Sequence, residues 1–200
     1  GAHSSKTAAF ARACVAFCFI TVPSVGNLRR RLLLYHLTAQ AALANRLLPQ
    51  MDAAVVAAVG TLPEALAVAD GDAAVAEAAL VELVSSLVAF LVVAPGNPKH
   101  GPLHLLTGLL NQVRTCSWRG AASLPTVYLR ALRALDAQAQ PRLPYRVPGV
   151  DSNDVLYAAD AEFAAQLDAL STLMLEEVAR TIGDMRGRAL EPARAALALE

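Results

Sequence analysis

Apolar side chains recur along this chain at intervals of three and four residues, in runs that Pro or Gly stops after roughly 10 to 20 positions. No stretch alternates apolar and polar residues, and none opens a strand–helix–strand unit. Such a chain can bury its apolar faces only by laying helix on helix. Ala makes up roughly a fifth of the 200 residues and Leu is also abundant, both strong helix formers, whereas Val is the only β-branched residue used often. An all-α fold follows, and 56% hydrophobic residues supply ample apolar surface for one domain over 1–200. Helical hairpins stacked as a HEAT-like α-solenoid fit the short turns best. No strict repeat period is visible, so an irregular helical bundle stays open.

The first run, Thr7 to Thr21, repeats Phe10, Cys14, Phe17 and Cys18 on one face and is broken by Pro23 and Gly26. The second starts after Asn27, an N-cap, and carries two stripes: Leu28, Leu32, Tyr35, Ala39, Ala42 and Leu43 on one side, Leu33, Leu37, Ala44 and Leu48 on the other. Two stripes imply neighbours on two sides. A shorter helix around Met51 to Val59 is expected to end near Gly60. There Thr61-Leu62-Pro63-Glu64 has the Thr-x-x-Glu form of a capping box and opens another brief helix, closed by Asp70-Gly71-Asp72. Ala73 to Val93 is a long amphipathic helix with Ala76, Leu80, Leu83, Leu87 and Leu91 in register, stopped by Pro95, Gly96 and Pro98. Helices are expected at His104 to Cys116 and Leu124 to Ala137, then a Pro-rich linker from Pro141 to Gly149. A last long helix aligns Phe163, Leu167, Leu170, Met174 and Val178, and Arg188 to Leu199 forms a final one.

Seventeen basic residues balance seventeen acidic ones, so no net field attracts nucleic acid or an anionic membrane, and partners are recognised by shape. Three cysteines in apolar company, without disulfide-framework spacing, point to a reducing, cytosolic setting. The start Gly1-Ala2-His3-Ser4 reads as a cloning remnant within 1–5 or a cut through a longer chain, and no cleavable leader follows. The most membrane-like run, Leu83 to Ala94, is about a dozen residues where roughly 20 are needed, and it contains Ser85 and Ser86. It reads as a buried helix, with no membrane span.

Residues that could carry chemistry have plainer readings. His100 and His104 are four apart, as zinc sites require, but Gly101 and Pro102 intervene and no catalytic Glu accompanies them, so a turn entering a helix is expected. Cys14 and Cys18 sit among Phe10, Phe17 and Phe19, which favours core packing over metal ligation. The basic run Arg29 to Arg31 opposes the helix macrodipole, and a solvated face is expected of it. Asp151-Ser152-Asn153-Asp154 with Glu162 has a calcium-loop outline, yet Leu156 stands where the loop needs Gly. Asp151, Asn153 and Asp154 are instead expected to fix a turn by side-chain to backbone hydrogen bonds. No phosphate loop, nucleophile elbow or Cys-His pair with an orienting acid stands out. No catalytic residue, metal or cofactor is therefore expected.

Four collinear blocks of irregular residues carry a resemblance: Phe17-Cys18-Phe19-Ile20-Thr21-Val22-Pro23-Ser24; Leu34-Tyr35 through Gln40-Ala41-Ala42-Leu43-Ala44-Asn45; Val92-Val93-Ala94-Pro95 with Pro98-Lys99-His100-Gly101; and Val150-Asp151-Ser152-Asn153-Asp154 with Leu156-Tyr157 and Asp160. Together they resemble the C-terminal α-solenoid of the retriever large subunit, a vacuolar-sorting thirty-five-like protein of the retromer large-subunit superfamily. Gly71 to Ala79 and Gly120 to Tyr145 depart from the pattern, and the chain is richer in Ala and Arg, as in a divergent homologue. The resemblance implies a scaffold without enzymatic activity, cytoplasmic and peripheral on endosomes. It implies docking of the small metallophosphoesterase-fold subunit shared with retromer, alongside other retriever subunits, in recycling of membrane cargo to the cell surface. Partner contacts would then fall on Tyr35, Lys99, His100, Asp151, Asn153, Asp154 and Tyr157. The alternatives are the retromer large subunit's own C-terminal solenoid and an unrelated helical ligand-binding or accessory bundle, which would need a closed apolar cavity with convergent polar groups.

Overall fold

The structure is a computed structural model that describes residues 4–68, 73–185 and 191–198. Of these, 76% are helical and none lies in a β-strand; a single isolated bridge joins Asn97 and Gly101. The helices are α1 (Ser5–Thr21), α2 (Leu28–Ala44), α3 (Leu48–Ala67), α4 (Ala73–Leu91), α5 (His104–Thr115), α6 (Ser123–Ala139), α7 (Asn153–Leu156), α8 (Ala161–Asp184) and α9 (Glu191–Ala198). A short turn at Asn45 to Leu47 folds α2 and α3 into a hairpin. From there α2, α4, α6 and α8 pack in succession along one row and α3 against α5 along a second. The result is an α-solenoid whose core runs continuously from Val15 to Val178.

Side chains cap the starts of α1, α2 and α8. Asn27 accepts the Arg30 N–H at 2.9 Å, and Asp160 accepts the Glu162 N–H at 2.9 Å to open α8. Leu32, Tyr35, Ala39, Ala42 and Leu43 of α2 are buried, as their spacing requires. In α4, Leu80, Val84, Leu87, Val88 and Leu91 are buried between neighbours in the row. Buried Glu77 begins the same face; its carboxylate accepts the Arg119 N–H (2.7 Å), the Gly120 N–H (2.8 Å) and the Ser123 hydroxyl (2.5 Å), fixing the α5–α6 loop to α4.

Four expectations are corrected. Gly60 and Pro63 do not divide α3, which runs unbroken from Leu48 to Ala67. Val55, Ala58, Leu62, Ala65 and Leu66 form one buried stripe through both residues. Burial of about 1.5–3 kcal/mol per large side chain outweighs a helical Gly, and Pro63 lies on the exposed side. Thr61 does not cap a new helix; its hydroxyl donates back to the Ala57 carbonyl at 2.8 Å.

The α1 stripe of Phe10, Cys14, Phe17 and Cys18 is not core. Both cysteines are exposed, Phe10 and Phe17 are 72% and 68% exposed, and α1 rests on its neighbours through Val15 and Phe19 instead. Likewise the second α2 stripe, Leu33, Leu37 and Ala44, with Leu48 beginning α3, faces outward. The chain holds two apolar faces on α1 and α2, and the described neighbours cover one. Lys6–Ser24 and Ala73–Leu91 are each long and apolar enough to cross a bilayer by length and composition; the second is the central helix α4. Asp70-Gly71-Asp72 and Arg188 to Leu190 lie outside the described residues.

Candidate partner-docking edge

At one edge of the solenoid three connections converge: the α4–α5 loop, the Pro-rich α6–α7 linker and the single turn of α7. None has a regular ladder to satisfy its backbone, so side chains do it. Asn153, 1% exposed, is the hub. Its Oδ1 accepts the Gly96 N–H at 2.6 Å, and its Nδ2 donates to the Pro102 carbonyl and to Gln138 Oε1, both at 3.1 Å. Gln138 in turn donates to the Leu91 carbonyl at 3.2 Å, so α4, α6, α7 and the loop are joined through two buried amides.

Asp154 fixes the linker. Its side chain is fully buried and accepts the Leu143 N–H at 3.0 Å, the Arg146 Nη2 at 3.1 Å and the Ser152 hydroxyl. Burial pushes this carboxyl up, but the hydrogen bonds from Ser152 and Leu143 and the charge of Arg146 together outweigh it and hold it below the usual range. Arg46, at the α2–α3 turn with φ of 62°, donates to the Pro148 carbonyl at 3.3 Å. Gly149 packs on that guanidinium at φ of 75°, where a Cβ would come within 2.4 Å of it.

The α4–α5 loop is held from α3. His104 Nε2 lies 2.8 Å from Asp52 Oδ1 and its Nδ1 lies 3.1 Å from the Gly101 carbonyl, which leaves neither ring nitrogen open as a ligand. His100 stacks beside it with ring centroids 5.5 Å apart. Among the described residues no three His, Cys, Asp or Glu side chains gather as a metal site. In the basic run, Arg31 Nε donates to the Val25 carbonyl at 3.0 Å, while Arg29 and Arg30 are exposed.

The structure therefore sorts the candidate residues. Lys99, His100 and Asp151 are exposed at the edge, and Tyr157 is half-buried there against Phe163, centroids 5.6 Å apart. Asn153 and Asp154 are buried beneath them and shape the edge from inside. The bonds of Asn153 reach across the fold to the α4–α5 loop and α6, whereas those of Asp154 stay within the adjoining linker and turn, as expected of a turn-fixing residue. Tyr35 is elsewhere, 6% exposed on α2 with its ring 6.2 Å from Phe19. Sequence reasoning missed Asp52, Gln138, Arg46 and Arg146. Gln138 alone left a signal, a polar residue in register with Ala131, Ala134 and Leu135 on the buried face of α6. Two grooves flank the edge, one of about 800 Å³ between α6 and α8 and one of about 380 Å³ between α4, α6 and the linker. Both open to solvent.

This architecture has relatives. The VPS35L C-terminal domain profile matches residues 1–200. The chain belongs to the VPS35L C-terminal domain family. It is 41% identical over 182 residues to the Danio rerio protein named VPS35 endosomal protein-sorting factor-like, covering 89% of this chain and 19% of that protein. Identity is 38% over 181 residues to the Homo sapiens protein of that name, with the same coverage, and 32% over 180 residues to the Dictyostelium discoideum one, covering 18% of it. The chain thus spans about a fifth of the length of these relatives. The family is one of endosomal protein-sorting factors, and the four blocks read in the sequence resemble it because they belong to it.

Proposed function

We propose that this chain is a non-catalytic scaffold segment of the retriever complex, a single helical-repeat domain that docks the small metallophosphoesterase-fold subunit. In that role it acts on the cytoplasmic face of endosomes, beside the other retriever subunits, in returning membrane cargo to the cell surface. The observation that carries the reading is the buried Asn153 and Asp154 network within a family of sorting factors. Those polar groups hold backbone in place: Asn153 and Asp154 are buried and their side-chain atoms are taken up by backbone, Gln138, Ser152 and Arg146. What they present outward is a rigid edge bearing Lys99, His100, Asp151 and Tyr157, and a preorganised surface loses little entropy on binding.

We read the uncovered α1–α2 face as the seat for a further helical pair of the solenoid, a reading supported by relatives about five times as long. Titration calorimetry with the small subunit of the same organism tests the proposal. Binding at tens of micromolar or tighter is expected, weakened by a Lys99→Glu, His100→Glu, Asp151→Lys variant. No heat at those concentrations, with a demonstrably folded chain, would remove the docking role.

A further inference from the structure

The groove between α6 and α8 has a chemistry that the docking edge does not use. Its floor is apolar, built from Leu135, Phe163 and Leu167, with Leu175 at one end. Asp136, Asp160 and Asp168 are exposed along it, and no Lys or Arg lines it. Asp154, also at its wall, is already matched by Arg146. In a chain with zero formal net charge this is a local excess of negative charge beside an open groove whose apolar side chains run from the buried Leu135, Phe163 and Leu167 to Leu175, which is 57% exposed. The α8 side from Phe163 to Leu175 extends about 18 Å along the helix axis, or roughly three turns. A groove of that length between two helices admits one further helix, whose apolar stripe fills the floor.

We infer that this groove binds an amphipathic helix of a partner protein that carries Lys or Arg beside its apolar stripe. Charge complementarity selects the occupant: basic side chains flanking the stripe meet the three aspartates, whereas an acidic helix meets three like charges. This goes beyond the docking of the small subunit: the aspartates and the floor are distinct from Lys99, His100 and Asp151, and of the residues that the edge presents outward only Tyr157, against Phe163, also lines the groove.

The test is selection of a display library of random peptides, each three to four helical turns long, on the whole chain. The peptides recovered are expected to have apolar residues at helical spacing with Lys or Arg beside them. Ala164→Trp, at an exposed position in the groove, should reduce their affinity more than tenfold. Asp136→Asn with Asp168→Asn should reduce it by about tenfold and flatten its salt dependence, as rim ion pairs do. Both variants should melt as the parent does, and Ala164→Trp should still bind the small subunit, so failure of one proposal is distinguishable from failure of the other. Recovery of acidic or uncharged peptides, no recovery, or binding indifferent to Ala164→Trp would overturn the inference. So would self-association in sedimentation velocity that Ala164→Trp abolishes, because the occupant would then be a second copy of this chain.

Discussion

Asn153 uses its amide oxygen once and its amide nitrogen twice, and each partner is a group with few other options. Asn153→Ala would leave the Gly96 N–H, the Pro102 carbonyl and Gln138 short of partners, and a buried unpaired group costs about 1–3 kcal/mol. A loss of about 2–4 kcal/mol in urea-unfolding stability is therefore expected, with a fold unchanged by circular dichroism. Asp154 gives a pH dependence. Its carboxyl is held below the usual range in the folded chain, so its contribution is full above the unfolded value of about 4 and is lost as pH falls through the lower folded value. Glu77 acts with the same sign: burial raises it, and the Ser123, Arg119 and Gly120 hydrogen bonds outweigh that. Melting temperature should fall steeply below about pH 4, and Asp154→Asn should lower it at neutral pH while flattening the acid limb. Tyr128 is fully buried and its hydroxyl has no hydrogen-bond partner among the described residues, so Tyr128→Phe should be neutral or stabilising by up to about 1 kcal/mol. Burial raises the Cys116 thiol, while Cys14 and Cys18 are exposed, so alkylation near neutral pH should label those two first.

At the scale of the element, α3 shows where local rules stop. Gly60 and a Thr-x-x-Glu box are boundary signals, and both were overridden because the buried stripe from Val55 to Leu66 continues through them. Open space surrounds a Cβ at Gly60, so Gly60→Ala should raise stability by about 0.5–1 kcal/mol, read as a higher melting temperature. A fall would mean that the helix does break there. The order and rough bounds of the long helices and the Asn27 cap were legible because they depend on residues within one turn of each other, whereas the unbroken α3 and the single turn of α7 were not. The faces of α1 and α2 were not legible. Spacing identifies an apolar stripe, but which of two stripes is covered depends on which neighbour arrives, and Phe17 and Val15 differ only in that. The docking edge was legible in part for the same reason: Asp151 to Asp154 stand out as turn formers, while Gln138 meets Asn153 across 15 positions of chain, Asp52 meets His104 across 52 and Arg46 meets Pro148 across 102.

On the scale of the whole molecule, a solenoid holds its shape by contacts between successive helices, so its edge is as rigid as the pins that bind its loops. The absence of net charge bears on how it would meet a partner: with no long-range steering, affinity for the small subunit should fall little between low and moderate salt, unlike that of a basic helix in the α6–α8 groove. An interface of the usual size buries about 1,200 to 2,000 Å² and relies on a few central anchors, so protection should be local. Hydrogen–deuterium exchange of the chain with and without the small phosphoesterase-fold subunit tests this most directly. The expected result is slowed exchange at 96–103 and 151–157, with 7–20 of α1 unchanged. Unchanged exchange at the edge under saturating partner, or protection confined to α1, would contradict docking there.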